Sequence, residues 1–209
     1  MISAVFENEN LFVADKPSAV LTVPARAQDD PRICLGRDLQ TQLAIQIFPV
    51  HRLDFEVSGL VIFAKNARAH TVAQRWFEEA EVDKLYQAVS RRGTGLPPTD
   101  WQDWRSRLVR GKRRSFVAPH GKPSHTRARV VRHDEDTWQW ELLAVTGRPH
   151  QLRVEMYQHG HPILGDTLYS GEAATPGKIA LRAVSLNFAR IPDRLGLPET
   201  LQVPDLHWP

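Results

Sequence analysis

The chain is poor in several features that would set it apart from ordinary globular proteins, and each shortage narrows what it can be. It has a single cysteine, Cys34, in 209 residues. No internal disulfide and no cysteine-based zinc site can form within it. Long apolar runs are missing. The longest, such as Leu60–Ala64, fall far short of the roughly 20 residues a membrane span needs. Met1–Asn10 has neither the basic start nor the apolar stretch of a secretory signal, so the expectation is a soluble cytoplasmic protein with no membrane partner. Repeats and low-complexity tracts are absent. Neither charge is in large excess: 27 Lys and Arg stand against 24 Asp and Glu, a formal charge of +3. That surplus alone does not establish a polyanionic partner. What remains is a normal composition, 42% hydrophobic and 24% charged, which excludes a disordered or fibrous chain. We read a single domain over 1–209, with Gly93–Arg114 as the best boundary between two lobes of it.

The distribution of charge says more than its sum. Arg105, Arg107, Arg110, Lys112, Arg113 and Arg114 crowd into ten residues beside Trp101 and Trp104. Such a block raises local phosphate concentration and supplies salt-dependent affinity. Around it the pattern gives alternating elements. Val5–Phe6 and Leu11–Ala14 flank a polar turn and read as a hairpin or bent strand. Gly59–Ala64 reads as a buried strand, and Asn66 as the cap of a helix over 67–79 whose inner face holds Val72, Trp76 and Ala80. Lys84–Val89 alternates as a strand. Thr126–Val131 and Trp138–Val145 form a strand pair around the turn His133–Asp136. Pro149 suits a first helical turn and Gly160 a stop, which places a helix over 150–159. Ile179–Phe188 is another strand. The proline-marked tail, with Pro192, Pro198, Pro204 and Pro209, reads as an irregular wrap.

Two segments carry chemistry. In Val50-His51-Arg52-Leu53-Asp54, followed by Phe55-Glu56-Val57-Ser58-Gly59, one carboxylate sits on a loop just ahead of a buried strand, beside a histidine and an arginine. A neighbouring cation keeps a carboxylate ionised, and an ionised Asp54 can serve as nucleophile or base. Ser58 lacks the Gly-x-Ser-x-Gly elbow of a nucleophilic serine, but Ser58-Gly59 allows close backbone approach. In Gly147-Arg148-Pro149-His150-Gln151-Leu152-Arg153, donor side chains gather at a helix start, where free N–H groups favour phosphate. Arg153 has the fork that a carboxylate such as Asp54 can accept. On the strand Lys84–Val89, Tyr86 shares a side with Lys84 and Ala88, and an aromatic ring there can stack on a base. Nine histidines are present, yet none shows His-Glu-x-x-His or a comparable spacing, so no metal site is expected.

Taken together these segments resemble the RluA-type pseudouridine synthases. The resemblance rests on His51-Arg52-Leu53-Asp54 with Ser58-Gly59, on Lys84-Leu85-Tyr86-Gln87-Ala88, on Gly147–Arg153, and on Gly160-His161-Pro162-Ile163-Leu164-Gly165-Asp166 with Leu168-Tyr169. Asp15-Lys16-Pro17 and Val23-Pro24 match the usual opening. The motifs run in order from about residue 4 to about residue 188. The resemblance implies an α+β fold, a mixed and mostly antiparallel sheet around a central cleft with flanking helices. It implies conversion of uridine to pseudouridine in structured RNA, with no cofactor and no metal; the expected partner is a tRNA or ribosomal RNA stem-loop, and the expected state a monomer. Carried onto this chain, Asp54 is the catalytic aspartate. Tyr86 stacks on the target base and can assist a proton. Arg153 pairs with Asp54, Val154 is the apolar contact beside the base, and Arg52 enters the RNA where the base has left. His51, Arg148, His150 and Gln151 are further candidates for substrate contact.

The chain departs from the family pattern at three points: Val57 where Thr is usual, Pro149 where Thr or Ser is usual, and Leu181-Arg182-Ala183 for Leu-His-Ala. The pattern begins close to Met1, which implies the short form without an N-terminal RNA-binding module. RNA selection then falls to this domain, with Arg105–Arg114 as a contributor. The alternatives are a catalytically inactive RNA-binding protein of the same fold, which the joint presence of Asp54, Tyr86 and Arg153 opposes, and a metallohydrolase using the histidines.

Overall fold

The apolar run Leu60–Ala64 is the middle of a strand, β4 (Ser58–Ala64), in which all seven residues are buried. It lies in a computed structural model that describes residues 1–25, 29–169 and 177–208. Strand β1 (Ala4–Glu7) and β2 (Leu11–Lys16) form the expected hairpin, and β2 pairs antiparallel with β4 from Leu11↔Ala64 to Lys16↔Gly59. A short strand, β3 (Phe48–Pro49), pairs with the far end of β4. Two helices belong to this part of the chain. The sequence reading missed α1 (Leu35–Leu43), which buries only Leu35 and Leu39 and ends on Ala44 at φ 55° instead of on a glycine. It found α2 (Ala67–Glu78): the Asn66 side chain accepts from Ala69 N–H at 2.8 Å, and Ala69, Ala73 and Trp76 are buried. Val72 packs at the edge of the core as expected, but Ala80 lies beyond the helix, at φ 56°.

The remaining strands are β5 (Asp83–Arg91), β6 (Gln102–Arg110), β7 (Ser115–Val117), β8 (Lys122–His133), β9 (Thr137–Ala144), β10 (Leu181–Asn187) and β11 (Thr200–Gln202), with α3 (Gln151–Gln158) between β9 and β10. The tail is therefore not wholly irregular, since β11 pairs with β10; Pro209 lies outside the described residues. The pairings β1–β2, β2–β4, β3–β4, β5–β9, β6–β7, β6–β8, β8–β9 and β10–β11 are antiparallel and the class is α+β, a mixed sheet with helices.

The chain divides into two compact units, Met1–Val82 with Ala183–Pro204 and Asp83–Arg182 with Asp205–Pro209. The divisions fall next to β5 and inside β10, so Gly93–Arg114 is not a boundary but part of the second unit. The first unit packs Leu11, Val13, Leu60, Ile62, Trp76 and Phe188 into its core. Gly59, at φ 115°, is required there: a Cβ would stand 2.1 Å from the carbonyl oxygen of Ala183. The second unit is a sheet in the order β5-β9-β8-β6-β7. Alternation puts Trp138, Trp140, Leu142 and Ala144 of β9 on one face, and α3 lies on that face. Gln151 reaches Thr126 Oγ1 of β8 at 2.9 Å, and Glu155 accepts from Ser106 of β6 and Ser124 of β8. The basic block is mostly strand. Its Arg105 and Arg107 alternate with Trp104, Ser106 and Leu108, and Gly111–Arg114 turns the chain into β7.

Candidate active site

In the first unit Asp54 is half-buried on the connection from β3 to β4. That connection is pinned on both sides. The Leu53 N–H donates to Thr22 Oγ1 at 3.2 Å, and the same hydroxyl donates to the Leu53 carbonyl at 3.0 Å. Thr22 is 3% exposed, so water does not compete for this clamp. After Asp54, the Val57 N–H donates to the Asp54 carbonyl at 3.2 Å and closes a turn. Before it, His51 Nε2 accepts the Ile62 N–H at 3.3 Å, and the ring stacks on Phe77 with centroids 4.4 Å apart. A ring nitrogen that accepts carries no proton, so this is imidazole with its hydrogen on Nδ1. His51 thus holds a place in the strand ladder. Arg52, between it and Leu53, is exposed.

The cation beside Asp54 that the sequence reading passed over is Lys16. It is fully buried, and its Nζ donates to the carbonyls of Val20 at 2.7 Å, Pro17 at 2.9 Å and Phe55 at 3.4 Å. Burial pulls its pKa down from 10.5 to about 8, against the opposing pull of the Asp54 and Glu56 charges. The only sequence signal was the Asp15-Lys16-Pro17 match. The Thr22 clamp, which joins residues 31 positions apart, had no local signal at all.

In the second unit Tyr86 is half-buried on β5 opposite Leu142, and Ala88 is opposite Trp140. Tyr86 and Ala88 therefore share the face that carries α3. Helix α3 starts one residue later than the proline pattern suggests. Pro149 precedes the cap, and His150 is the cap residue at φ 53°, with Gln151 first in the helix. Gln151 is buried and its amide is engaged four ways: Nε2 donates to the His125 carbonyl and Thr126 Oγ1, while Oε1 accepts from Thr146 Oγ1 and the Arg148 N–H. It braces the turn that leads into the helix. Arg148, half-buried, donates from Nε to the Pro123 carbonyl at 2.9 Å.

Arg153 is 2% exposed and meets a carboxylate that the sequence reading did not assign to it. Nε donates to Asp166 Oδ2 and Nη2 to Asp166 Oδ1, both at 2.7 Å. Asp166 is 1% exposed, so this is a paired fork in a dry setting. The Arg153 guanidinium also lies 5.5 Å from the ring centroid of Tyr169. Val154 is buried against Leu108 and Tyr169.

Tyr169 ties the helix start together. Arg110 Nη1 and His150 Nε2 are 2.8 Å apart, and His150 Nδ1 is 3.1 Å from Tyr169 Oη. Arginine only donates, so His150 Nε2 accepts and Nδ1–H donates to the tyrosine oxygen. That oxygen also accepts the Ser115 N–H at 2.9 Å and donates to the Ser115 carbonyl at 3.2 Å. Ser115 Oγ in turn donates to the Pro149 carbonyl at 2.7 Å. Asp166 and Tyr169 both lie in the Gly160–Tyr169 segment that carried part of the resemblance. Among the described residues no group of three or more His, Cys, Asp or Glu is placed to hold a metal ion.

Comparison with known proteins converges. A family model described as RNA pseudouridylate synthase matches residues 10–158. The dual-specificity RNA pseudouridine synthase RluA of Vibrio vulnificus is 35% identical over 199 residues, covering 88% of this chain and 76% of that protein. The ribosomal large subunit pseudouridine synthase D of Vibrio parahaemolyticus is 33% identical, covering 84% of this chain and 54% of that protein. Among solved structures, human RNA pseudouridylate synthase domain containing 1 superposes with a TM-score of 0.78 at 27% identity, over 98% of this chain and 84% of that one.

Proposed function

Because the chain belongs to the RNA pseudouridylate synthase family, we propose that Asp54, Tyr86 and Arg153 act on one uridine of an RNA. The chain is an isomerase: uridine goes in and pseudouridine comes out. The observation that carries the assignment of Asp54 is its seat. A half-buried carboxylate is held on a loop clamped by Thr22 and His51, beside exposed Arg52.

The chemistry sets what each residue must do. The bond from ribose C1′ to uracil N1 breaks, the base turns, and C1′ joins C5. The hydrogen on C5 leaves to water and N1 gains one, so the atoms balance without a cofactor. Asp54 assists either by attacking the nucleoside or by taking a ribose proton. Extruding a uridine from folded RNA costs a few kcal/mol. Stacking on Tyr86 returns about 1–3 kcal/mol, and Arg52 fills the space the base vacates. Arg153, with its fork held by Asp166, is the cation that serves Asp54, and Val154 is its apolar neighbour on the same helix. Arg148 and His150 contact the RNA near the start of α3. We take the substrate to be a stem-loop of tRNA or ribosomal RNA, bound by a monomer. The relatives' names support RNA in general and the large ribosomal RNA in one case.

Release of tritium from RNA carrying [5-³H]uridine tests the assignment. Asp54→Asn should bind RNA with wild-type affinity and release no tritium above background. Turnover equal to wild type would remove Asp54 from the mechanism. Arg153→Lys should slow turnover but add little to the loss in the double variant with Asp54→Asn, as residues acting as one unit do.

A further inference from the structure

The sheet of the second unit has an outer face, opposite α3, and its chemistry is unlike that of the rest of the molecule. Strand alternation sends Arg105 and Arg107 of β6 and Arg127 and Arg129 of β8 to this face. A fifth arginine reaches it through an irregularity. The β8–β9 register runs Val130↔Trp140 and then Arg132↔Gln139, so Val131 is an extra, bulged residue. Strict alternation would have turned Arg132 toward Trp138 and the core. The bulge instead sets it opposite Gln139, on the side of Arg129 and Glu141. Residues two apart on a strand are about 7 Å apart and neighbouring strands about 4.8 Å apart, so the five guanidiniums form a continuous track across two strands.

The track is held in place, and its charge is only partly cancelled. Trp101, just before β6, lies under two of its members: Arg129 is 4.5 Å and Arg127 5.3 Å from the ring centroid. One aromatic ring thus brings two like charges together. Glu141 pairs with Arg129 at 2.6 Å, and Asp103 bonds His125 and lies 3.9 Å from Arg105. The cations pull the Asp103 carboxyl below the usual carboxylate range, the His125 hydrogen bond most of all. Within the stretch formed by β6, β8 and the facing part of β9, these five arginines thus stand beside two carboxylates, Asp103 and Glu141. Arg105, Arg107 and Arg132 are exposed. Packing arginines this closely is unfavourable unless an anion joins them. Toward β5 the same face is closed by the C-terminal residues, where Gln87 Nε2 donates to Asp205 Oδ1 and Gln87 Oε1 accepts the Leu206 N–H. Among the described residues, the exposed part of this face is the stretch with Arg105, Arg107 and Arg132.

We propose that this outer face is a second RNA surface, which grips the sugar-phosphate backbone of RNA flanking the target uridine. It rests on the reading of the chain as an RNA enzyme but is separate from the site residues. Those in this unit, Tyr86 and α3, lie on the opposite face. Flat spacing, guanidinium donors and an aromatic support suit a backbone and give no means of reading bases.

The test is a variant with Arg105, Arg107, Arg127 and Arg132 replaced by Gln. Arg129 is left to Glu141. Binding of a fluorescent, in vitro transcribed hairpin with single-stranded flanks is titrated across a KCl series. The slope of log affinity against log salt should flatten by about 2.8–3.6, because each of the four lost phosphate contacts removes about 0.7–0.9. KM for tritium release from the flanked hairpin should rise several-fold. Replacement of the same four by Lys should restore the slope. An unchanged slope in the Gln variant would overturn the proposal, as would a loss of binding independent of salt, which points to packing or to an acidic protein as the true partner of this face. If the quadruple variant does not fold, Arg107→Gln alone should still flatten the slope by about 0.7–0.9. If wild type releases no tritium from any RNA, the catalytic reading fails, yet the slopes still decide the fate of the track. If wild type is active and the slopes coincide, only the track fails.

Discussion

Lys16 carries a burden that its surroundings only partly lift. Its amine satisfies three carbonyls and sits in the field of Asp54 and Glu56, yet burial still holds its pKa at about 8 instead of 10.5. The sign of the consequence follows. Between those two values the unfolded chain binds more protons than the folded one, so this group makes stability rise as pH rises. Below about 8 the full cost of a buried charge is present; above about 10.5 it is gone. The swing is at most about 3 kcal/mol, from 1.36 kcal/mol per unit. In urea unfolding from pH 7.5 to 10.5, wild type should gain stability relative to Lys16→Met by up to that amount. Parallel curves would show an amine that titrates normally. The motif around Asp54 was legible because it is contiguous and its residue types announce a charged loop before a strand. Lys16 and Thr22 were not, because what matters is a hydrogen bond across 39 or 31 positions, and such pairings exist only once β2 has found β4.

At the scale of elements, the start of α3 shows why a donor-rich segment misleads when read residue by residue. Gln151 looked like a ligand contact and is spent on the protein's own turn. Arg153 was expected to seek Asp54, and its fork meets Asp166, 13 positions ahead. The proline rule placed Pro149 inside the helix, but the cap residue is His150 in the left-handed region, where the chain of bonds through Tyr169 and Ser115 holds it. Tyr169→Phe keeps the ring beneath Arg153 but leaves the buried Ser115 N–H without its acceptor. A loss of about 1–3 kcal/mol in unfolding free energy is expected, with a fall in kcat as the helix start loosens. Tyr169→Leu should cost kcat further, since the cation–π contact goes too. Equal kcat in the two variants would separate the ring from Arg153. The basic block is the complementary case. Its charge was plain, but Trp104, Ser106 and Leu108 alternating with arginines was a strand pattern in view, and a block treated as one patch hid the two faces it serves. The bulge at Val131 had no signal in the residues.

For the molecule as a whole, the question is how a surplus of three charges binds a polyanion. The structure divides the cations of the block between two places. Arg105 and Arg107 join the outer face of the sheet. Lys112, Arg113 and Arg114 stand exposed on the turn between β6 and β7, next to Arg110 and its contact with His150 at the start of α3. If RNA touches only one of these places, neutralising the other changes nothing beyond a weak long-range field, which salt at 0.15 M screens over about 8 Å. If one RNA spans both, each set contributes its own phosphate contacts, and sites this well separated act additively. Replacing Lys112, Arg113 and Arg114 by Gln should then flatten the salt slope by about 2. Combining this set with the four outer-face substitutions should give the sum of the two changes on the flanked hairpin. On a hairpin trimmed of its flanks, the turn set should keep its effect while the outer-face set loses its own. Identical responses of both sets to trimming would mean that they grip the same stretch of RNA, and the division of labour drawn from the strand register would have to be abandoned.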